Sequence, residues 1–276
     1  MLIVTGGTGF IGSNLVRALC EREEEVIIVD WLGNGNKWKN IKDCKIADIV
    51  APDKLPLNAS IQCKAIFHLG AISSTVETDV DKIIENNFIT SKNWFNTCKA
   101  LHIPFIYASS AATNNGNPLN PYALSKHLFD EWVRKQQGHY VGLKFFNVYG
   151  PNEAHKGDQQ SIISQALGKE TFELFDVRAE RDFVYVKDCV DVMLWFYEHP
   201  QIKGLFDVGT GAARSFEDVV MAVGVKNILY KPFPDHLKGK YQYHTHADLT
   251  ALRNAGYTKD FLSLEQGVSH FLHDIS

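Results

Sequence analysis

Tyr122 and Lys126 stand four residues apart in the run Asn-Pro-Tyr-Ala-Leu-Ser-Lys, residues 120–126, at the start of a segment with helical signals. Asn120 can cap the first amides, Pro121 suits the first helical position, and Leu124, Leu128 and Trp132 recur at helical spacing. Residues four apart share a helix face, which brings the phenol and the ammonium together. A cation beside a phenol favours the phenolate, and a phenolate near neutral pH is a proton acceptor suited to redox chemistry at a carbinol. Such pairs also decorate solvated helix faces, so the meaning of this one depends on what else the chain carries.

The amino terminus supplies the missing half. Val4-Thr5-Gly6-Gly7-Thr8-Gly9-Phe10-Ile11-Gly12 follows an apolar run and opens a helical one. Gly6 permits a tight turn, Gly9 lets the backbone approach a pyrophosphate, Gly12 allows close helix packing, and a helix amino end favours anions. Asp30 ends the second apolar run 18 residues beyond Gly12, where an acidic side chain accepts from an adenosine ribose. That favours NAD, because a carboxylate repels a 2′-phosphate. Lys37, Lys39 and Lys54 follow, either on a solvated loop or placed to neutralise such a phosphate. Asp48 is either a turn residue or a partner for an adenine amino group. Ser109 and Ser110 close another apolar run upstream of Tyr122. Serines there form turns, and Ser110 is the hydroxyl expected to hold a substrate oxygen beside the phenol.

These residues need a scaffold that gathers them. Apolar runs at 2–4, 26–29, 65–67, 105–108 and 141–145 read as buried strands with helical patterns between them. The alternation predicts an α/β fold with a doubly wound parallel sheet, whose sites lie at the carboxyl ends of the strands. Those ends carry Gly6 to Gly12, Asp30, His68 to Ser74, Ser109 with Ser110, and Asn147 to Gly150. Beyond Pro151 the spacing predicts a helix over 161–168, a strand over 182–186, a helix over 188–198, and a helix capped by Ser215 with Asp218 three residues on. Residues 1–150 are therefore expected to form a dinucleotide-binding domain, to which part of 181–210 returns, and 151–276 a smaller, mainly substrate-binding lobe.

The 276 residues are 45% hydrophobic, enough for sizeable cores without staples. With 28 basic and 32 acidic residues and a net charge of −4, the chain has no footprint for nucleic acid. Its five cysteines are scattered and never form a CxxC pair, so reduced thiols are expected and no metal site. No apolar run approaches the roughly 20 residues needed to span a bilayer. Met1 leads straight into Leu2, Ile3 and Val4 with no secretory pattern, and a soluble cytoplasmic protein is expected.

The glycine run, His-Leu-Gly-Ala at 68–71, Asn86, Ser-Ser-Ala-Ala-Thr at 109–113 and the Tyr122/Lys126 pair resemble the extended short-chain dehydrogenase/reductase family over the whole chain. The resemblance implies a Rossmann-like fold. It also implies that Tyr122 is the acid/base, that Lys126 binds the nicotinamide ribose and lowers the tyrosine pKa, and that Ser110 orients the substrate. A narrower pattern follows: Phe146-Asn147-Val148-Tyr149-Gly150-Pro151, His155-Lys156-Gly157, Arg181-Asp182-Phe183-Val184-Tyr185-Val186, Phe233 to Gln242, Ala247 to Thr250, and Ala255-Gly256-Tyr257. It looks like the ADP-L-glycero-D-manno-heptose 6-epimerase branch of that family. This likeness implies oxidation of a sugar carbinol at C6″ by bound NADP, with NAD the other possibility, and hydride return to the opposite face, for lipopolysaccharide core heptose supply.

By the same resemblance, Lys156 is a second acid/base, and two such groups suit a reaction that inverts a carbon without net redox. The dinucleotide falls to Gly6, Gly9, Phe10, Ile11, Gly12, Asp30, Trp31, Lys37, Lys54, Leu69, Gly70, Ala71, Ile72, Ser73, Asn86, Lys126 and Val148. The nucleotide sugar falls to Ser110, Asn147, Asp158, Gln165, Phe175, Arg178, Arg181 and Tyr241, and self-association is expected. Departures touch the sugar and the cofactor: the loop at 114–119 is short, with Asn114 where relatives have tyrosine. Trp31 replaces an asparagine, and Asp158 and Gln165 stand for serine and histidine. Another nucleotide-sugar epimerase or a dehydratase acting on a UDP- or dTDP-hexose is the alternative, and the dehydratase requires an Asp-Glu pair that is absent between Thr113 and Tyr122. A scaffold protein that has lost turnover requires damage to the acid/base residues, and these are intact.

Overall fold

The structure, a computed structural model, describes residues 1–54, 62–75, 77–114, 116–235 and 241–275. Two compact units divide it, Met1–Lys144 with Val190–Phe206 and Phe145–Cys189 with Asp207–Ser276. The strands in chain order are β1 (Leu2–Thr5), β2 (Val26–Val29), β3 (Asp48–Val50), β4 (Ile66–His68), β5 (Phe105–Ser110), β6 (Tyr140–Phe145), β7 (Asn147–Tyr149), β8 (Thr171–Phe175), β9 (Glu180–Tyr185), β10 (Gly204–Val208), β11 (Ala213–Ser215) and β12 (Asn227–Lys231). The α-helices are α1 (Phe10–Glu21), α2 (Val80–Ile83), α3 (Thr90–Leu101), α4 (Pro121–Val133), α5 (Ile162–Ala166), α6 (Val186–Glu198), α7 (Phe216–Val223), α8 (Thr250–Asn254) and α9 (Leu264–Ile275).

The first unit is built on a seven-stranded parallel sheet in the order β10-β6-β5-β4-β1-β2-β3, a Rossmann-like arrangement. β1 lies inside it between β2 and β4, with Ile3 opposite Ile27 on one side and Ile66 on the other. Leu2 to Thr5 are all buried, as a strand covered on both faces must be. Behind β4 and β5, Trp94, Phe95 and Cys98 of α3 and Phe129 and Val133 of α4 form one core with Phe105 and Tyr107. The ring of Phe129 meets that of Tyr107 edge to face at 4.8 Å, a favoured aromatic geometry.

α4 begins as its residues dictate. Asn120 Oδ1 accepts from the Ala123 amide at 2.9 Å, and Pro121 occupies the first turn. The buried face differs from the expected one. Leu128 is 36% exposed, whereas Ala123, Ser125, Lys126, Asp130 and Val133 are buried. The helix thus turns small and polar side chains inward, toward a place where functional groups converge, and leaves part of its leucine stripe outside.

His68, at the carboxyl end of β4, joins strands to helices. Its Nδ1 lies 2.7 Å from Thr5 Oγ1 and its Nε2 2.9 Å from Ser91 Oγ, while Ser91 donates to the Asn87 carbonyl at 2.5 Å. Asn87 belongs to a π-helical turn, Ile84–Ile89, between α2 and α3. Such turns recur at functional sites.

The second unit holds a three-stranded sheet, β11-β9-β7, and a two-stranded one, β12-β8. α9 packs on β9, and α7 packs on α5 and β8, where Ala166, Leu174, Val220 and Val225 form a small core. α7 carries the full reciprocal capping box between Ser215 and Asp218. The strand expected at 182–186 runs from Glu180 to Tyr185, and Val186 opens α6. Asp182 is fully buried and accepts from the amides of Thr210 (2.8 Å), Gly211 (2.8 Å) and Ala247 (3.0 Å) and from the Thr210 hydroxyl (2.7 Å). One carboxylate thereby fixes two loops.

Burial, aided by Lys126, drives the His68 pKa down to about 3. The unfolded chain takes up a proton near pH 6.5 that the folded chain refuses until about pH 3, so the contribution of neutral His68 is complete above 6.5 and is lost as pH falls through that window. Denaturant titrations are expected to show stability falling by at most about 1.4 kcal/mol per pH unit from this group. The decline should be flatter in His68→Asn, and an identical slope in the two proteins would count against it.

Candidate active site

The glycine turn is a cradle that side chains cannot share. Gly6 has φ +67°, and a Cβ there would lie 2.7 Å from Gly70 Cα. A Cβ at Gly12 would lie 2.1 Å from the Gly6 carbonyl oxygen. Gly9 caps α1 in extended geometry with no side-chain acceptor, and the first turn carries no acid. The positive end of the helix is therefore kept for an outside anion, and the residues present fit a dinucleotide pyrophosphate. Phe10 and Gly12 are buried in that turn and Ile11 half-buried.

Asp30 follows β2 and is bound on both oxygens. Oδ2 accepts from the Thr8 amide (3.0 Å) and hydroxyl (2.5 Å), and Oδ1 from the Trp31 amide (2.8 Å) and Lys37 Nζ (2.7 Å). The acid is thus tied to the glycine turn and already carries a cation. Of the three lysines near it in sequence, Lys37 alone pairs with it. Lys54 pairs with Asp53 at 3.5 Å, and Lys39 lies 5.9 Å over the Trp38 ring. Trp31 is 58% exposed. Asp48 opens the edge strand β3 and accepts from the next amide, that of Ile49, at 2.7 Å, as a strand-end residue does.

Leu69 to Ser73 leave β4 along the carboxyl edge of the sheet. The amide of Leu69 donates to the Thr5 carbonyl at 3.1 Å and that of Gly70 to Thr5 Oγ1 at 3.1 Å. Ala71 and Ser73 are half-buried or exposed beside them. Ile72 is clamped in both directions by Asn87, whose Oδ1 accepts from the Ile72 amide (2.8 Å) and whose Nδ2 donates to its carbonyl (2.9 Å). Asn86 donates to the same Asn87 oxygen at 2.9 Å. Asn87 also reaches Ser125 Oγ at 3.1 Å, and Ser125 donates to the Tyr122 carbonyl at 2.7 Å. Sequence reasoning chose Asn86 and missed Asn87, the buried member. The signal was a second asparagine inside an otherwise apolar helical stretch.

Ser110 and Tyr122 are neighbours: the serine hydroxyl acts to lower the pKa of the phenol, and its Oγ accepts from the Ala112 amide at 3.2 Å. Burial raises the Tyr122 pKa above its ordinary value, with the Ser110 hydroxyl opposing and the Asp130 charge adding to the rise. This corrects the expectation that the lysine lowers it. Desolvation of the phenolate outweighs any cation here, because Lys126 Nζ is turned to the Ala108 carbonyl at 2.8 Å. Burial brings Lys126 itself down to about 8, against the pull of Asp130.

In the second unit, Lys156 sits in a turn, Ala154–Gln159, with Nζ 3.6 Å from Glu153 Oε2. Glu153 is buried and also accepts from the amides of Gly150 (3.2 Å) and Ser161 (2.6 Å) and the hydroxyls of Ser161 (2.7 Å) and Ser164 (3.0 Å). Asn147 and Val148 lie on β7 in register with Phe183 and Val184. Gln165 donates to the carbonyls of Asp158 (3.3 Å) and Gln160 (2.8 Å), which joins two expected substrate residues through backbone rather than side chain. A cavity of about 810 Å³ is lined by Gln165, Phe175, Arg178, Phe216 and Tyr241 among others. Arg181 does not line the cavity itself but packs behind two residues that do, Phe216 and Tyr241. It is 7% exposed, donates to the carbonyls of Glu180 and Gln242, and lies over the rings of Tyr241 (5.0 Å) and Phe216 (5.9 Å). Its fork is spent on the protein in this state. Residues 236–240 of the Phe233 to Gln242 motif lie outside the described residues.

A family model described as the NAD dependent epimerase/dehydratase family matches residues 2–209. The chain belongs to the NAD dependent epimerase/dehydratase family. Within the family it is 43% identical over 314 residues to an ADP-L-glycero-D-manno-heptose-6-epimerase from Alkalilimnicola ehrlichii, an alignment that covers 100% of this chain and 98% of the relative. That alignment is longer than the 276 residues of this chain, so the relative carries segments missing here. The solved ADP-L-glycero-D-manno-heptose-6-epimerase from Helicobacter pylori superposes with a TM-score of 0.85 at 27% identity, over 99% of this chain and 96% of that one. A UDP-N-acetylglucosamine 4-epimerase from Methanobrevibacter ruminantium shares the fold, with a TM-score of 0.82 at 24% identity over 99% and 98% of the two chains.

The close approach at Gly12 yields a direct test. Gly12→Ala must push α1 off the turn, and the purified variant is expected to release no dinucleotide on acid treatment, whereas the parent releases it in near-stoichiometric amount.

Proposed function

We propose that this chain converts ADP-D-glycero-D-manno-heptose to ADP-L-glycero-D-manno-heptose by transient oxidation at C6″ with bound NADP, supplying heptose for the lipopolysaccharide core. The observation that carries the reading is the 43% identity over the full length to an epimerase of that name, joined to a phenol at Tyr122 whose pKa the neighbouring Ser110 acts to lower and to Lys126 one turn on in the same helix. The glycine turn and the amino end of α1 would hold the pyrophosphate, Asp30, Trp31 and Lys37 the adenosine ribose, and Lys126 with Val148 the nicotinamide end. A nicotinamide bound there would supply a reversible acceptor for the hydride of the carbinol carbon.

The chain's own residues manage protons and position. Tyr122 accepts the hydroxyl proton at its phenol oxygen as the carbinol becomes a ketone, while Ser110 holds the same substrate oxygen. Lys126 holds the ribose. Lys156 gives a proton to the ketone oxygen when the sugar presents its other face, and is reset by the proton left on Tyr122 through solvent. One proton and one hydride leave and return, so no net redox occurs. Glu153 orients the Lys156 ammonium from 3.6 Å. The cavity bordered by Phe175, Arg178 and Tyr241 takes the nucleotide. NADP is favoured over NAD because the Asp30 carboxylate already carries the Lys37 ammonium at 2.7 Å, which removes its repulsion of a 2′-phosphate. The reading includes a cytoplasmic, self-associated enzyme.

Incubation with ADP-D-glycero-D-manno-heptose should bring the C6″ and anomeric proton signals of the second epimer into the NMR spectrum, and an unchanged spectrum sinks the substrate assignment. Tyr122→Phe and Lys156→Ala should each lower turnover by roughly a hundredfold or more, and parental rates in both would remove these residues from the chemistry. A UDP-hexose converted faster than the heptose would favour a 4-epimerase. Acid release of the bound nucleotide and mass measurement should give NADP, and NAD alone would overturn that choice.

A further inference from the structure

Asp130 has no part in the chemistry described above, yet it is 2% exposed beneath that chemistry. Its partners are hydroxyls: Tyr107 donates to Oδ1 at 2.7 Å, and Ser109 at 2.7 Å and Thr113 at 3.3 Å donate to Oδ2. Ser109 and Thr113 bracket Ser110 along the chain, and all three donors come from β5 and the turn that follows it. The acceptor belongs to α4, one helical turn beyond Lys126 and two beyond Tyr122. A carboxylate sunk among hydroxyls is an expensive way to fill space, since an apolar residue of similar volume would often be neutral or stabilising. Its cost points to a use.

We propose that Asp130 is the positioning residue of the reacting pair: its carboxylate clasps the strand end that carries Ser110 to the helix that carries Tyr122, and its negative charge keeps Lys126 an ammonium. The proposal rests on the catalytic reading of Tyr122 and Lys126. The clasp explains how Ser110 and the phenol become neighbours although eleven residues lie between them in the chain. The charge explains how a lysine so deeply buried stays protonated. Desolvation alone favours the amine; the Ala108 carbonyl, which accepts from Nζ at 2.8 Å, and the Asp130 charge act in the opposite sense, and Asp130 is the charged one of the two. The other titratable or charged groups around this pair are Tyr107 on β5, His68 on β4, Tyr140 on β6, and Tyr122 and Arg134 on α4. Neutral His68 contributes no compensating anion.

The test follows Lys126 itself, through the pH dependence of its NMR signal in protein carrying carbon-labelled lysine, with the signal assigned by its loss in Lys126→Arg. In the parent the midpoint is expected near 8. Asp130→Asn, which keeps size and polarity but not charge, should lower it by roughly one pH unit. Ser109→Ala, which keeps the charge and removes one screening hydroxyl dipole, should raise it. Shifts of opposite sign support the proposal, because a merely structural role moves both variants alike or neither. If Asp130→Asn does not fold, Ser109→Ala decides alone: an upward shift supports the proposal, and an unmoved or lowered midpoint overturns it. Absence of heptose turnover in the parent would overturn the substrate reading while leaving this measurement intact.

Discussion

Every polar group buried at the carboxyl edge of the first unit's sheet must find its partner inside the protein, and meeting that requirement is what builds the site. The Gly70 amide needs Thr5, Thr5 meets His68, His68 meets Ser91, and Ser91 closes on the carbonyl of Asn87. The side chain of Asn87 then holds both backbone groups of Ile72 and, through Ser125, the first turn of α4. A dinucleotide edge and a tyrosine helix are thereby parts of one hydrogen-bonded object. Because the links through His68, Ser91 and from Asn87 to Ser125 are buried, loss of one strands its neighbour, which makes the network costly to break and gives the phenol a fixed address.

The same economy governs the second unit by different means. Asp182 and Glu153 are buried acids satisfied chiefly by backbone amides and hydroxyls. Amide dipoles at fixed positions stabilise a carboxylate without the mobile counter-ion that water would supply. In each case the acid's work is to order loops, and Glu153 in addition orders a lysine. Arg181 shows the converse. Carbonyl acceptors and two aromatic faces hold its guanidinium, so it stiffens the cavity wall that Tyr241 and Phe216 line.

Local signals in the chain were read well where the cause is local. The glycine turn before α1, Asn120 with Pro121 at the start of α4, and Ser215 with Asp218 at α7 depend on residues within one turn of each other. What escaped the sequence was set by distant partners. The inward face of α4 could not be told from its leucine spacing, because Lys126 and Asp130 are buried by their partners Ala108, Ser109 and Tyr107 on another element. The pairing of β8 with β12, more than fifty residues apart, has no local mark either. The tyrosine pKa went astray for a related reason: spacing shows which charges are near, whereas desolvation depends on how much chain folds over them. Lys37 could be named as one of three candidates, but only the fold picks it out for Asp30.

The strand order has a bearing on biosynthesis. β6 is flanked by β5 and by β10, and β10 spans Gly204–Val208, sixty residues after the chain has left the first unit at Lys144. A nascent polypeptide emerging from the ribosome can therefore assemble β1 to β6 early, but it carries an unpaired edge at β6 until the later segment arrives. During that interval the growing chain is vulnerable to misplaced strand addition and attractive to chaperones. Proteolytic or genetic truncation after residue 150 would preserve every glycine of the nucleotide turn and still leave the sheet one edge strand short.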